Sequence, residues 1–481
     1  MIKGRRKILF VILAICMIVA TVTVGSGRAY DVNQEDGTET ASVHTHKAHD
    51  SVILASDGKG QDVYGSLGYS VSDEVTEAGH SGATEATEQR LMAESGVEYE
   101  ADDASEDNGF QSDDEAGDET EAEVSDTAAT VDDRTEAEKL LDSMTNEEKV
   151  AQLFIVTPDQ LTGATGVTLA GETTKAAIDE RPVGGIIYMG DNLIDSAQVK
   201  EMLSNTYTYS QERIGLPMLL CVDEEGGTVA RIAGSGRFGV DNVGNMSTIG
   251  ETGTTEDAHA AGVTIGTYMA ELGFNVNFAP VADVLTNPDN SIVKYRSFGS
   301  DVSIVSDMAI AVAEGLREQG IEATFKHFPG HGATAGDTHL GAAFTTKTKE
   351  ELMKEELIPF QKAIDYGAKF MMVSHISVPN ITGHDTPASL SPEMIDGILR
   401  SDMGYKGVVI TDAMEMGAIS SKYTSDTAAV MAIQAGADML LTPEDFDLAY
   451  QGVLDAVESG EISEERLDES VLRIIEAKQE M

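Results

Sequence analysis

The sequence is poor in several residue types, and each shortage excludes a class of protein. There are two cysteines, Cys16 and Cys221, and no Cys-x-x-Cys pair or cysteine–histidine cluster at metal-ligand spacing. Neither a disulfide framework nor a metal site is therefore predicted. Lysine and arginine number 32 against 83 aspartates and glutamates, which gives a formal net charge of −51. Such an acidic chain repels phosphate backbones, so nucleic acid is excluded as a partner.

Long apolar runs are also scarce, apart from a leader in residues 1–30. Four basic residues precede an unbroken apolar run from Ile8 to Val24, and Gly27-Arg28-Ala29 offers small residues for a cleavage. The run fits either a signal peptide or an uncleaved signal anchor, and both remain open. The basic flank comes first, so the rest of the chain is predicted to be extracytoplasmic, either secreted or anchored to the outer face of the membrane. Membrane contact is expected only through an uncleaved leader.

Residues 31–133 differ in composition from the rest of the chain. Aspartate and glutamate far outnumber lysine and arginine there, aromatic residues are few, and Ser, Thr, Ala and Gly are abundant. Such a segment cannot bury enough apolar surface to offset the entropy lost on ordering. We expect a disordered acidic linker, either a stalk that extends a catalytic domain or an inert spacer.

Residues 134–481 are predicted to form one α/β domain. Thr145 and Glu148 fit a capping box at the start of a helix. Eight apolar runs follow, and their continuous apolar character is typical of parallel strands covered on both faces. The runs are Gln152–Val156, Gly185–Met189, Met218–Val222, Phe274–Pro280, Glu322–Phe328, Phe370–His375, Gly407–Thr411 and Ala437–Thr442.

Helical patterns alternate with these runs, which predicts a (β/α)8 TIM-type barrel. The predicted helices include Asp301–Gln319, Lys349–Tyr366, Thr424–Ala435, Pro443–Ser459 and Ser463–Gln479. A doubly wound open sheet is the alternative fold. That fold is expected to carry a glycine-rich phosphate loop early in the chain, and none is present. No cofactor is predicted.

Charged and imidazole side chains follow five of the eight runs. Because the carboxyl ends of barrel strands meet at one rim, these groups are expected to converge there. A lone aspartate after a strand is often only a helix cap, but burying so many polar groups together without a function would be costly. They are Asp223-Glu-Glu-Gly-Gly with Arg231, Asp283 with Arg296-Ser-Phe-Gly, Lys326-His-Phe-Pro-Gly-His-Gly with Asp337-Thr-His339, Ser374-His375, and Thr411-Asp412.

These motifs, in this order, resemble glycoside hydrolase family 3, and specifically its single-domain β-N-acetylglucosaminidases. The resemblance covers about residues 135 to 481. It implies that Asp412 is the nucleophile and that His339, held by Asp337, is the acid/base. It further implies that five residues bind the sugar hydroxyls and the N-acetyl group, namely Asp223, Arg231, Arg296, Lys326 and His327. Two positions depart from the commoner pattern: Thr338 replaces a serine and Glu224 a glutamine.

The chemistry of these residue types agrees with the resemblance. A retaining glycosidase needs a carboxylate that attacks the anomeric carbon and a second group that protonates the leaving oxygen. A histidine can serve as that second group, because its pKa lies near neutrality and Asp337 can fix its orientation. Because a neutral imidazole would not repel an anionic acceptor, phosphorolysis beside hydrolysis stays open. The expected substrate is an oligosaccharide or cell-wall fragment that carries terminal N-acetylglucosamine.

Two other functions compete with this interpretation. A β-glucosidase of the same family usually takes its acid/base from a second domain, whereas Asp337-Thr-His339 would supply one internally. A non-catalytic sugar-binding protein is the rival from another class, and the presence of a nucleophile and a dyad argues against it. The roles of two further histidines stay open: His331 is expected to brace its loop more than to touch sugar, and His375 either lines the site floor or satisfies a hydrogen bond in the core.

Overall fold

The computed structural model describes residues 134–334 and 336–481, together with a short antiparallel pair, Ala55–Ser56 with Asp62–Val63. The leader and the remainder of the acidic segment lie outside the described residues, so the signal and linker assignments stay predictions. Among the described residues, no helix is both long enough and apolar enough to cross a membrane.

Eight parallel strands form the centre of the domain, and each corresponds to one predicted run. They are β1 Phe154–Val156, β2 Gly185–Ile187, β3 Leu219–Val222, β4 Val276–Asn277, β5 Glu322–Phe328, β6 Phe370–Val373, β7 Val408–Thr411 and β8 Leu440–Leu441. Neighbours in space follow the chain order from β1 to β7, and β8 pairs with β1 through Leu440 and Phe154. A parallel bridge between Ile410 and Met439 joins β7 to β8, so the sheet is nearly closed and fits a TIM-type barrel.

Helices cover the outside of this sheet; many begin at a side-chain cap, and several end at a glycine in the left-handed conformation. Thr145 forms the predicted capping box with Glu148. The α-helices are Glu136–Ser143, Asn146–Gln152, Pro158–Thr162, Glu172–Glu180, Ser196–Ile214, Met246–Thr252, Thr255–Leu272, Val302–Arg317, Lys349–Leu352, Ile358–Tyr366, Pro379–Thr382, Gly417–Ser420, Ser425–Gln434, Phe446–Ser459 and Glu464–Gln479, with a π-helical segment at Glu393–Asp402.

One predicted helix was wrong. The sequence predicts a single helix over Lys349–Tyr366, but the structure has Lys349–Leu352 and Ile358–Tyr366. Pro359 lacks an N–H and disfavours helical geometry in the residue before it, so it is tolerated in the first turn of Ile358–Tyr366 but interrupts a helix arriving from Lys349. The break also lets Glu356 turn inward, where it accepts a hydrogen bond from the Thr286 hydroxyl at 2.7 Å.

Short secondary elements lie just past the carboxyl ends of the strands and extend them into the rim. Glu224–Gly226 pairs antiparallel with Val229–Ala230 immediately after β3. Ala343–Phe344, on the segment after β5, pairs parallel with Ile376–Ser377 after β6. These pairs fix the directions in which the rim residues point.

Candidate active site

A cluster of buried charges lies past β3 and within β5. The Lys326 ammonium contacts Asp223 Oδ1 and Glu225 Oε1, each at 2.8 Å. Arg296 donates to both oxygens of Glu225, from Nε at 2.7 Å and from Nη2 at 2.6 Å. Only 3% of the Lys326 side chain and 2% of the Glu225 side chain are exposed. Two cations and two carboxylates thus neutralise one another at the rim.

Glu225 is ionised because of its partners. Burial raises its pKa, but the adjacent charges of Arg296 and Lys326 outweigh that effect and hold the pKa well below its usual range. In the same way, burial lowers the pKa of Lys326, while Asp223 and Glu225 raise it above its ordinary value. Glu225 and Lys326 are therefore both charged at neutral pH.

Asp283 extends this cluster towards His327. Its Oδ2 lies 2.7 Å from His327 Nδ1, and its Oδ1 accepts the His331 main-chain N–H at 2.6 Å. Arg296 Nη2 lies 3.2 Å from His327 Nε2. Because a guanidinium can only donate, Nε2 accepts, and Nδ1 donates to Asp283. We call Asp223, Glu225, Asp283, Arg296, Lys326 and His327 the buried polar network.

Asp412 follows β7 in a partly buried position. Its Oδ1 accepts the Ala413 N–H at 2.9 Å. Burial raises its pKa, but His327, His375, the Ala413 N–H and Lys326 together lower it to about 2. The carboxylate is therefore ionised at neutral pH, as a nucleophile must be.

His375 packs beside Asp412 and is neutral. Its Nε2 lies 2.9 Å from the Ala413 carbonyl, which can only accept, and its Nδ1 lies 2.7 Å from the Ser389 hydroxyl. Burial lowers its pKa, the charge of Asp412 opposes that shift, and His339 lowers it further. Of the two roles left open for His375, the satisfied hydrogen bonds favour the structural one.

His339 and Asp337 form a pair on the loop after β5, whose described residues 336–343 we call the dyad loop. His339 Nδ1 lies 2.9 Å from Asp337 Oδ1, and the same oxygen accepts the His339 main-chain N–H at 2.9 Å. The carboxylate accepts, so Nδ1 carries the proton and Nε2 faces away from Asp337. The His339 side chain is 63% exposed.

Hydrogen bonding distinguishes His339 from the other rim histidines. His327 and His375 use both ring nitrogens within the protein, and His331 contacts Thr334 Oγ1 at 3.1 Å and Thr338 Oγ1 at 3.4 Å. Burial lowers the pKa of His331 to about 4, so it is neutral as well. In the part of the chain that the structure describes, no group bonds to Nε2 of His339. The contacts of His331 with Thr334 and Thr338 agree with the bracing role expected for it.

Arg231 is placed beside the cluster by the short antiparallel pair after β3. Its main-chain N–H donates to the Asp223 carbonyl at 3.4 Å. Glu224 faces the other way, where it accepts the N–H groups of Ile232 and Ala233 and the Tyr268 hydroxyl. Burial raises the pKa of Glu224, and these donors stabilise the loop that carries Arg231. Among the described residues, no group of three or more His, Cys, Asp or Glu side chains is arranged to hold a metal ion.

The structure thus brings Asp223, Arg296, Lys326 and His327 into one network, with Glu225 between Lys326 and Arg296, and it pairs Asp337 with His339. Sequence analysis named Glu225 and Asp283 among the rim residues but assigned them no role, and they hold the predicted cations and the imidazole in place. For Glu225 a signal existed: in extended chain, residues two apart face the same side, so Asp223 and Glu225 should both face the site. A lone Asp283 offered no comparable pattern.

Comparison with known proteins identifies the family. Residues 145–477 match the glycosyl hydrolase family 3 N-terminal domain. β-Hexosaminidase A of Pseudoalteromonas piscicida is 31% identical over 325 residues, which are 63% of this chain and 54% of that protein, so the chain spans about half the length of this relative. The β-hexosaminidase LpqI of Mycobacterium tuberculosis is 32% identical over 69% of this chain and 82% of its own length.

A solved structure agrees with these matches. The glycoside hydrolase family 3 β-N-acetylglucosaminidase from Paenibacillus sp. str. FPU-7 superposes with a TM-score of 0.65 and 38% identity, over 70% of this chain and 62% of that chain. The resemblance drawn from the motifs is confirmed: the chain belongs to glycosyl hydrolase family 3, a family of glycosidases, and its relatives include β-hexosaminidases.

Proposed function

We propose that the protein is a retaining, exo-acting β-N-acetylglucosaminidase that removes terminal non-reducing N-acetylglucosamine (N-acetylhexosamine) residues. One observation carries the assignment of roles. Beside an ionised Asp412, three rim histidines have both ring nitrogens hydrogen-bonded within the protein, whereas His339 has Nδ1 bound by Asp337 and Nε2 facing away from it. A nucleophile and a proton donor are the two groups that the reaction requires.

In the first step, the Asp412 carboxylate attacks the anomeric carbon and the glycosidic C–O bond breaks. The departing oxygen takes the proton from Nε2 of protonated His339, while Asp337 holds Nδ1–H and stabilises the imidazolium. In the second step, neutral His339 accepts a proton from water as the water attacks the glycosyl ester. Asp412 leaves as a carboxylate, and the anomeric configuration is retained.

The buried polar network would bind the sugar. Asp223 can accept from two sugar hydroxyls, and Lys326 and Arg296 can donate, because their charges are held in place by Glu225. With the nucleophile supplied by the protein, the acetamido group serves binding and not attack. A site whose polar groups face that substituent leaves them unpaired when it is missing, which favours N-acetylglucosaminides over glucosides.

The test is a panel of aryl glycosides, assayed with and without phosphate. We expect kcat/KM for the aryl β-N-acetylglucosaminide to exceed that for the matched β-glucoside by at least about a hundredfold. Comparable values, or faster cleavage of the glucoside, would overturn the sugar preference and leave the glycosidase assignment standing. Faster turnover with release of the sugar 1-phosphate would make the protein a phosphorylase, and no cleavage of any aryl glycoside would make it a non-catalytic sugar-binding protein.

A further inference from the structure

The segment that follows the candidate nucleophile holds the dyad loop through its main chain. The Gly417 N–H donates to the His339 carbonyl at 3.2 Å, and the Ala418 N–H donates to the Thr338 carbonyl at 3.1 Å. We infer that Gly417 is a positioning residue for His339, an inference that rests on the proposed acid/base role. The loop after β7 then carries the nucleophile at one end and the support of the proton donor at the other.

Gly417 is needed at this position because two main chains approach closely. A Cβ at Gly417 would lie 2.9 Å from the His339 carbonyl oxygen and 3.2 Å from the Leu340 carbonyl carbon. Real Cβ atoms essentially never show the shorter of these contacts and rarely show the longer one, and both neighbours are main-chain atoms that cannot rotate away. Gly417 is not among the glycines with positive φ, so the backbone itself would accept alanine. Any effect of a side chain at this position therefore comes from displacement of the dyad loop.

Few other contacts fix the position of His339. Its side chain is 63% exposed, and its ring is hydrogen-bonded to Asp337, which lies on the same loop. Thr338 anchors the loop on its buried side, where its hydroxyl lies 3.4 Å from His331 Nε2. Asp337 orients the ring, and the main-chain contacts with Gly417 and Ala418 determine where the His339 main chain, and with it Nε2, lies. A shift of a fraction of an ångström at Gly417 moves the proton donor directly.

The same loop offers a matched control. A Cβ at Gly341 would meet no atom within 4 Å, and Gly341 also lacks a positive φ. Gly341→Ala therefore makes the same chemical change in the dyad loop without pushing on the main chain. If Gly417 acts through contact, only the variant at position 417 should alter proton donation.

The experiment measures kcat/KM of the full chain for two aryl β-N-acetylglucosaminides that differ in leaving group, phenol and 2,4-dinitrophenol. For Gly417→Ala we expect a loss of about tenfold with the phenyl substrate, a larger loss for Gly417→Val, and less than about a twofold loss with the dinitrophenyl substrate. Gly341→Ala should match the wild type. Retained dinitrophenyl turnover also shows that each variant folds.

Equal losses with both leaving groups, or wild-type activity in both Gly417 variants, would overturn the inference. His339→Ala, assayed in parallel, separates this failure from a failure of the proposed mechanism. If His339→Ala shows the leaving-group dependence and Gly417→Val does not, the positioning role is wrong and the acid/base role stands. If His339→Ala itself lacks that dependence, the proposed acid/base is wrong.

Discussion

The buried polar network and the dyad loop hold charged groups of the same site in opposite ways. In the network, Lys326 and Glu225 are almost fully buried and contact each other at 2.8 Å. On the dyad loop, His339 is 63% exposed and its ring is held by Asp337. A buried network presents fixed charges to every substrate, because reorganising it would leave a charge unpaired. An exposed histidine on a loop can approach the leaving group and exchange a proton with water, and it does not obstruct release of the product.

Removal of a charge from the buried polar network should therefore lower kcat/KM equally for all substrates, and it should also destabilise the fold. Glu225→Gln removes the charge that Arg296 and Lys326 share, so two buried cations lose their common partner. We expect the free energy of unfolding, measured in urea, to fall by about 3–5 kcal/mol. The factor by which kcat/KM falls should be the same for the phenyl and the dinitrophenyl substrate. Glu136→Gln at the exposed pair with Lys139 is the control, with a change within about 0.5 kcal/mol. A loss confined to poor leaving groups would erase the distinction between the two regions.

Removal of a side chain from the dyad loop should instead lower kcat/KM by a factor that depends on the leaving group, and it should leave the stability of the fold unchanged. His339→Ala removes the proposed proton donor from an exposed position, so the free energy of unfolding should stay near the wild-type value. We expect kcat/KM to drop by about 10²-fold or more for the phenyl substrate and much less for the dinitrophenyl substrate, which leaves without protonation. Azide should restore turnover of the dinitrophenyl substrate when the glycosyl ester accumulates. Equal losses for both substrates would mean that His339 has a structural role.

Another buried lysine shows how Lys326 would behave without its carboxylate partners. Lys478 is buried in the helix Glu464–Gln479, and its ammonium donates to the Gln152 amide oxygen at 2.8 Å. Burial lowers its pKa to about 7, whereas the two carboxylates around Lys326 raise the pKa of that lysine. The partner, not the depth of burial, thus decides whether a buried lysine keeps its charge.

This contrast predicts a pH-dependent stability. Because the pKa of Lys478 falls on folding, the unfolded chain binds more protons than the folded chain above about pH 7, so this group makes stability rise with pH from there. Lys478→Met removes the burial cost of the charged form. The stability gained over the wild type should be largest at pH 6 and should decline by about 3 kcal/mol by pH 9. For Lys362→Met on the surface, the difference in free energy of unfolding from the wild type should be the same at pH 6 and pH 9. A flat difference for Lys478→Met would show that this lysine stays charged.

The sequence predicted the strands well because both faces of a barrel strand are covered, and continuous apolar runs are visible without any alignment. It predicted the Asp337–His339 pair through a local motif. It did not identify the role of Glu225, although the spacing of two residues from Asp223 pointed to the same side; the structure turns Glu224 towards Tyr268 and Glu225 towards Arg296. It could not reveal Gly417 either, since the reason for that glycine is a contact with a loop distant in sequence. Contacts between separate rim loops depend on the closed fold and leave no local pattern.

The most direct test of the proposed site is to trap the glycosyl-enzyme. The protein would be incubated with 5-fluoro-N-acetylglucosaminyl fluoride, digested, and analysed by tandem mass spectrometry. We predict one covalent sugar adduct, on Asp412, and no adduct in Asp412→Asn, because an amide cannot form the glycosyl ester. The variant should retain the wild-type circular dichroism spectrum. An adduct on Asp223, Glu225 or any other carboxylate would contradict the assignment of Asp412 as the nucleophile.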